Sequence, residues 1–256
     1  MFEKHVAPFP KVTMLTLGLD PSLRAYGWCV YDSSNTPRMR RIASGHEGTL
    51  PLTVPVARFM HFRSLVADLL RRYNVEAVGI ESPAFESVNA SAHYALMMFS
   101  LEPIFERRRD CVLFDPMTLK LAVTGKGNAD KSDMQRVVQL DTASTTVIDN
   151  NEADAYCIAR AAARFIQCMR GELPPDELTA HEARVFLTRQ RRRKKNDGSI
   201  SVKQVAHAFR ENSRWFQFDR VPTGSVSLPD KSAIDKSLVE WLETHDNPKP
   251  VKPAKS

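Results

Sequence analysis

No C-x-x-C pair, no H-E-x-x-H helix and no G-K-[ST] phosphate loop occurs in this sequence. Each absence removes a function class. The four cysteines, Cys29, Cys111, Cys157 and Cys168, lie far apart, so neither a zinc knuckle nor a disulfide framework is expected. A reducing, cytoplasmic setting is the simplest one for such cysteines. No apolar run approaches the ~18 residues of a membrane helix, so no membrane partner is expected. The first twelve residues, MFEKHVAPFPKV, lack the apolar segment of a secretion signal. There is no internal repeat.

What is present begins with charge. The formal net charge is +6, and it is concentrated. Between His181 and Arg220 stand eleven Lys/Arg and four Asp/Glu, a local balance of +7 that leaves the rest near −1. A basic region on an otherwise neutral chain points to a polyanion such as nucleic acid. A solvated helix face is the plainer alternative.

The 256 residues are enough for a full core. Leu15 to Leu19 has the apolar run of a buried strand and ends at Asp20-Pro21, where proline stops the ladder. Gly27 to Tyr31 returns as a second strand, and Arg41 to Ser44 can add a third. Pro55 to Tyr73 carries apolar residues at the helical period. Val75 to Ile80 is a strand ending at Glu81. A long helix is predicted over Asn89 to Arg109, a strand over Cys111 to Phe114, and helices over Met117 to Val123 and Asp130 to Leu140. Asp149 to Glu152 is a polar helix start, and Ala153 to Met169 continues as an alanine-rich helix suited to lying close on a sheet. A meander, a crossover helix and a new strand imply a mixed α/β sheet.

GELPP at 171–175 marks a boundary. We expect a first domain over 1–170, a basic and mainly helical extension over 171–245, and a disordered Pro/Lys tail over 246–256. Helices are predicted from Asp176, near Val202 to Glu211, and over Lys231 to Glu243. Trp215, Phe216 and Phe218 interleave with basic residues, so the extension reads as a DNA-contacting element or as a packing and dimerisation element.

Three carboxylates stand where chemistry could use them. Asp20 and Glu81 end strands, and Asp154 sits in the first turn of the alanine-rich helix. A lone Asp-Pro is commonly a turn cap, but three acids meeting at one sheet edge repel each other unless cations fill the site. Hard oxygen ligands suit Mg²⁺ or Mn²⁺, and two ions about 4 Å apart can cleave a phosphodiester. The loop from Lys120 to Lys131 adds Lys126 between Gly125 and Gly127, a backbone that can approach a phosphate and cations that neutralise it.

The ordered blocks GLDPSLRAYGW, VGIESPAF, LKLAVTGKGNADKSDMQRVV and NNEADAYCIARAA resemble the RuvC family of Holliday-junction resolvases, over about Leu15 to Arg164. The resemblance implies an RNase H-like fold: a mixed five-stranded sheet flanked by helices. It implies a homodimer that nicks four-way, branched DNA symmetrically, using Mg²⁺. By position, Asp20, Glu81 and Asp154 match the family's metal-binding, catalytic acids. Lys120 and Lys131 match its DNA-backbone contacts, with Lys126 as an addition, and Phe85 matches the aromatic that inserts at the junction. One position departs. Three residues before Asp154, where the family has an acid or His, stands Asn151, whose amide oxygen can still ligate a metal. Glu152 and Asp149 are the other candidates for that ligand. Two other classes compete: a non-catalytic module that binds branched DNA, and an actin-like ATPase, whose Gly/Thr-rich phosphate loops Pro21-Ser22-Leu23 does not supply.

Overall fold

The computed structural model describes residues 14–23, 25–34, 36–48, 55–83, 90–145 and 148–187, and the backbone of four strands between 191 and 218. Strands β1 (Leu15–Asp20), β2 (Ala25–Asp32) and β3 (Arg41–Gly48) form an antiparallel meander. Helix α1 (Pro55–Tyr73) crosses to β4 (Ala77–Glu81), which pairs parallel with β1. Helix α2 (Ala90–Glu106) leads to β5 (Asp110–Phe114), parallel to β4. Helices α3 (Pro116–Thr124), α4 (Lys131–Thr142) and α5 (Asn150–Met169) follow. The order β3-β2-β1-β4-β5 is the mixed five-stranded sheet expected from the sequence.

Alternation along the strands divides the core into two layers. Leu17, Leu19, Val78, Ile80, Cys111 and Leu113 face α1 and α2, meeting Phe62, Val66, Leu70, Leu96 and Ile104. Tyr26 stacks on Phe62 at 4.6 Å and donates to Ser100 Oγ at 2.8 Å, so β2, α1 and α2 share one lock. The intervening residues Cys29, Tyr31, Ala77, Val112 and Phe114 face α5. Asp20 and Glu81 fall in this second register, in step with Gly18 and Gly79. Both acids therefore belong to the α5 face of neighbouring parallel strands, one residue beyond the paired Leu19 and Ile80.

Helix α5 lies close because nothing separates it from the sheet. A Cβ on Gly18 would sit 1.9 Å from Ala155 O, and one on Gly79 would sit 2.8 Å from the Ala162 Cβ. Ala153, Ala155, Ala159, Ala161, Ala162 and Ala163 are buried there. The small residues that the sequence shows thus set the height of the helix above the strands.

The chain beyond 170 differs from expectation. A 3₁₀ turn at Pro175–Glu177 and a short helix α6 (Ala180–Phe186) replace the single helix from Asp176. Thr179 and Glu182 close α6 with a reciprocal capping box. Leu173, Leu178, Val185 and Phe186 join the α5 core layer. Glu182, 1% exposed, is gripped by Arg160 Nη1 at 3.0 Å and Arg164 Nε at 2.7 Å.

Beyond α6 the extension is stranded, not helical, among the described residues. Strands β6 (Arg191–Lys194) and β7 (Ile200–Lys203) pair antiparallel in a sheet of their own. Strands β8 (Ala208–Glu211) and β9 (Trp215–Phe218) pair antiparallel, and β9 adds parallel to β5. The helix expected near Val202 to Glu211 is replaced by β7 and β8. Val202, Val205 and Phe209 mimic a helical period, but pairing with β6 and β9 satisfies the backbone instead. Trp215, Phe216 and Phe218, read as DNA-contacting aromatics, are positions of β9. The five-stranded sheet so becomes seven, in the order β3-β2-β1-β4-β5-β9-β8. The helix expected over Lys231 to Glu243 and the tail lie outside the described residues. No helix among the described residues is long and apolar enough to cross a membrane.

Candidate active site

The C-terminal ends of β1 and β4 present Asp20 and Glu81 to α5. Helix α5 starts at Asn150, within the polar helix start expected over Asp149 to Glu152, so Asp154, its fifth residue, lies in the second turn, not the first. Asp149 caps this helix and accepts from Asn151 N at 2.8 Å. The start is fixed further by a close approach: a Cβ on Gly27 would sit 2.3 Å from Asn151 O. Gly27 is the partner of Asp20 across the β1–β2 ladder. The first turn of α5 is thereby pinned beside Asp20.

Electrostatics confirm that the three acids share one environment. Burial, then repulsion from Asp154, pushes the Asp20 carboxyl up to about 7, with Lys131 pulling it down and Asp149 pushing it further. Burial, then Asp20 and Asp154, holds Glu81 well above the carboxylate range, against Lys120. Asp154 is also raised, by burial first, while Lys120 and Lys131 oppose the rise. Lys120 on α3 and Lys131 at the start of α4 are therefore the cations of this cluster. Capping places both helices: Asp115 accepts from Thr118 N at 3.0 Å, and Asp130 from Asp133 N at 2.9 Å.

Lys126 is placed differently. It is exposed, and its Nζ lies 3.6 Å from Asp133 Oδ1. Its loop turns at Gly125, which caps α3 at φ 81°, where a side chain would be strained and a Cβ would meet the His181 ring at 2.5 Å. Phe85 lies outside the described residues.

Asn151 stands beside the cluster, and its amide NH₂ donates to Asp149 Oδ1 at 2.8 Å. The Oδ1 of Asn151 is thus the end suited to a cation. Asp149 remains ionised: burial raises it, but the Asn151 hydrogen bonds and His46 outweigh this and hold it low. Glu152 turns toward β3, accepting from Ser44 Oγ at 2.5 Å and lying 3.6 Å from His46 Nδ1. That engagement removes Glu152 as a ready ligand beside Asp154. His46 and Asp115 are neighbours that sequence reasoning did not single out. His46 is paired with Gly27 across β2–β3, a register no sequence pattern displays. Asp115-Pro116 repeats the Asp20-Pro21 dipeptide at a strand end, and that repetition was the available signal.

The donor set is all oxygen, half-buried and mutually repulsive, which is the chemistry of a hard divalent cation site. Among the described residues, no three Asp, Glu, His or Cys side chains lie close enough to hold one ion together. The set fits ions held by one or two carboxylates each, with water and phosphate oxygens completing the shell, as Mg²⁺ commonly is.

Strand order, helix placement and strand-end acids define an RNase H-like domain. A family model described as crossover junction endodeoxyribonuclease RuvC matches residues 16–161. The crossover junction endodeoxyribonuclease RuvC of Rickettsia conorii is 32% identical over 152 residues, covering 57% of this chain and 94% of that protein. The RuvC of Granulibacter bethesdensis is 29% identical over 157 residues, covering 60% and 86%. The Thermus thermophilus RuvC structure superimposes with a TM-score of 0.52 at 22% identity, over 62% of this chain and 98% of that one; that likeness concerns the fold. The chain belongs to the RuvC family, and everything after residue 161 lies beyond the family match.

Proposed function

We propose that this chain is a metal-dependent endodeoxyribonuclease that resolves four-way DNA junctions by phosphodiester hydrolysis, working as a cytoplasmic homodimer. The carrying observation is the placing of Asp20 and Glu81 at neighbouring strand ends under the start of α5, which brings in Asp154, with Lys120 and Lys131 acting on the same half-buried cluster. Family membership supports the same reading.

Asp20, Glu81 and Asp154 would share two ions, Mg²⁺ or Mn²⁺, with Asn151 Oδ1 as a weaker donor. Such ions, when bound, supply activation of a water and stabilisation of the leaving oxygen. The chain's own residues do the remaining work. Lys120 and Lys131 fix the scissile phosphate against the carboxylates. Lys126, exposed on the loop, and Phe85 extend that contact along the branched DNA. Burial and Asp154 raise the Asp20 carboxyl in the absence of a cation, and a bound divalent cation would pull it back down, so metal binding and loss of this proton are linked. Residues 1–170 carry this chemistry, with the segment through 187 as its packed continuation.

The Asn151 substitution favours a second reading, a branched-DNA-binding module that does not cut; a broader flap or branch nuclease is the third. The test is incubation of purified protein with end-labelled four-way junction, flap and linear duplex, in Mg²⁺ and in EDTA, beside Asp20→Asn. Paired, metal-dependent nicks on the junction alone, lost in the variant, are expected. Nicks on flaps as well would broaden the specificity. Tight binding without cutting at any Mg²⁺ or Mn²⁺ concentration would establish the binding module.

A further inference from the structure

The excess positive charge of the chain sits on one small element. From Arg189 to Lys203 there are seven Lys/Arg and one Asp, a balance of +6, equal to that of the whole protein. This is the β6–β7 ribbon and its flanks. Its register pairs Arg191 with Lys203 and Arg193 with Ser201. Strand alternation puts Arg191, Arg193, Ser201 and Lys203 on one face of the ribbon. The opposite face holds Arg192 and Lys194, paired with Val202 and Ile200.

The sheet fixes where this ribbon is tethered. Glu81 pairs with Phe114, Phe114 with Phe218, and Phe218 with Ala208. One row of the sheet thus runs from the candidate metal ligand to the first residue of β8. Three strand spacings separate its ends, roughly 14 Å. Lys203, the last residue of β7, is five positions before Ala208 and so lies at most about 17 Å from it. The ribbon is anchored at the catalytic edge of the sheet, within about one turn of duplex, roughly 34 Å, of the carboxylates.

We infer that the β6–β7 ribbon is a second DNA-binding site, which holds a duplex arm flanking the scissile phosphate. A two-stranded ribbon is the right width for the major groove, and its cations would meet the phosphates that border it. The site lies outside the residues matched by the family model. Its placement relative to cleavage rests on the nuclease reading above; its affinity for duplex does not.

The test compares the full-length chain with the triple variant Arg191→Gln, Arg193→Gln, Lys203→Gln. Binding to a 25-base-pair linear duplex and to four-way junctions with 8- and 25-base-pair arms is measured by anisotropy across a KCl series. Circular dichroism and Tm establish that the variant is folded. The variant should lose about tenfold or more in affinity for the duplex and for the long-armed junction. Its log–log salt slope should fall by roughly 2 to 3, the value for three phosphate contacts. The short-armed junction should bind both proteins within about twofold of each other. Equal affinities and slopes of the two proteins on linear duplex would overturn the ribbon site. A wild type that loses slope on mutation yet never nicks a junction would overturn the nuclease reading and leave the ribbon site standing.

Discussion

The carbonyl oxygen of Ala155 rests directly over the Cα of Gly18, leaving 1.9 Å to the place a Cβ would take. That single contact sets the height of α5 above the sheet, and so sets where Asp154 stands relative to Asp20. Gly79 makes a looser approach: a Cβ there would meet the Ala162 Cβ, the Ile158 Cγ2 and the Ile158 carbonyl oxygen, each at 2.8 Å, so the helix would have to shift less than at Gly18.

Gly18→Ala should therefore be the harsher of the two substitutions. It must lift a helix backbone and should cost more than about 3 kcal/mol, while Gly79→Ala should fall in the usual overpacking range of about 1–3 kcal/mol. Urea unfolding of both variants gives the ranking. Equal costs, or a larger loss at Gly79, would contradict the assignment of α5 height to Gly18.

The raised carboxyls make a pH prediction with a definite sign. A carboxyl whose folded-state pKa lies above its unfolded value stabilises the fold fully below the unfolded value, near 4, and loses that contribution as pH rises through the folded value. For Asp20 the window runs from about 4 to about 7. In EDTA, wild-type Tm should fall relative to Asp20→Asn across that window, and Mg²⁺ should recover the difference above pH 7. Parallel Tm curves for the two proteins would show that Asp20 is not the strained group.

Asn151→Asp should restore an acid three residues before Asp154. The Mg²⁺ concentration for half-maximal nicking should drop several-fold. The same change replaces a donor to Asp149 with a second carboxylate, so the metal-free Tm should fall. A variant with unchanged Mg²⁺ dependence would place Asn151 outside the ion's reach.

Glu182 answers Arg160 and Arg164 inside the protein, although burial opposes its charge; hydrogen bonding from Arg164 leads the effects that hold it ionised. Glu182→Ala leaves two guanidiniums without their partner and should cost about 3–5 kcal/mol. Glu182→Gln, which keeps an acceptor, should cost less. Chemical denaturation of both is the measurement, and a neutral Glu182→Ala would refute the buried lock.

Much of this arrangement can be read from the chain, because strand-end acids advertise themselves. Asp20 and Glu81 follow apolar runs and precede Pro21 and Ser82-Pro83, so their positions follow from local chemistry alone. Lys120 and Lys131 are legible for a different reason, since they bracket a glycine turn between two helix caps. The start of α5 is legible as the polar run Asp149 to Glu152, but the close approach of Gly27 to the Asn151 carbonyl, which pins that turn beside Asp20, is not. The extension was misread because β8 owes its conformation to β9, and β9 owes its own to β5. Neither pairing leaves a mark in the residues from Val202 to Glu211, whose spacing imitates a helix. The engagement of Glu152 with Ser44 is equally invisible, because it spans a register across three strands.

The pairing of β9 with β5 also changes where the sheet of the family-matched region ends. Without it, Cys111-Val112-Leu113-Phe114 would be a flat, apolar outer strand with unpaired amides, a template for any other chain in extended form. With it, the boundary of the sheet moves out to β8, a four-residue strand that carries Arg210 and Glu211. The segment beyond the family match thus supplies the outer edge of the sheet, so in this chain the strand after the fifth is its own rather than a neighbour's.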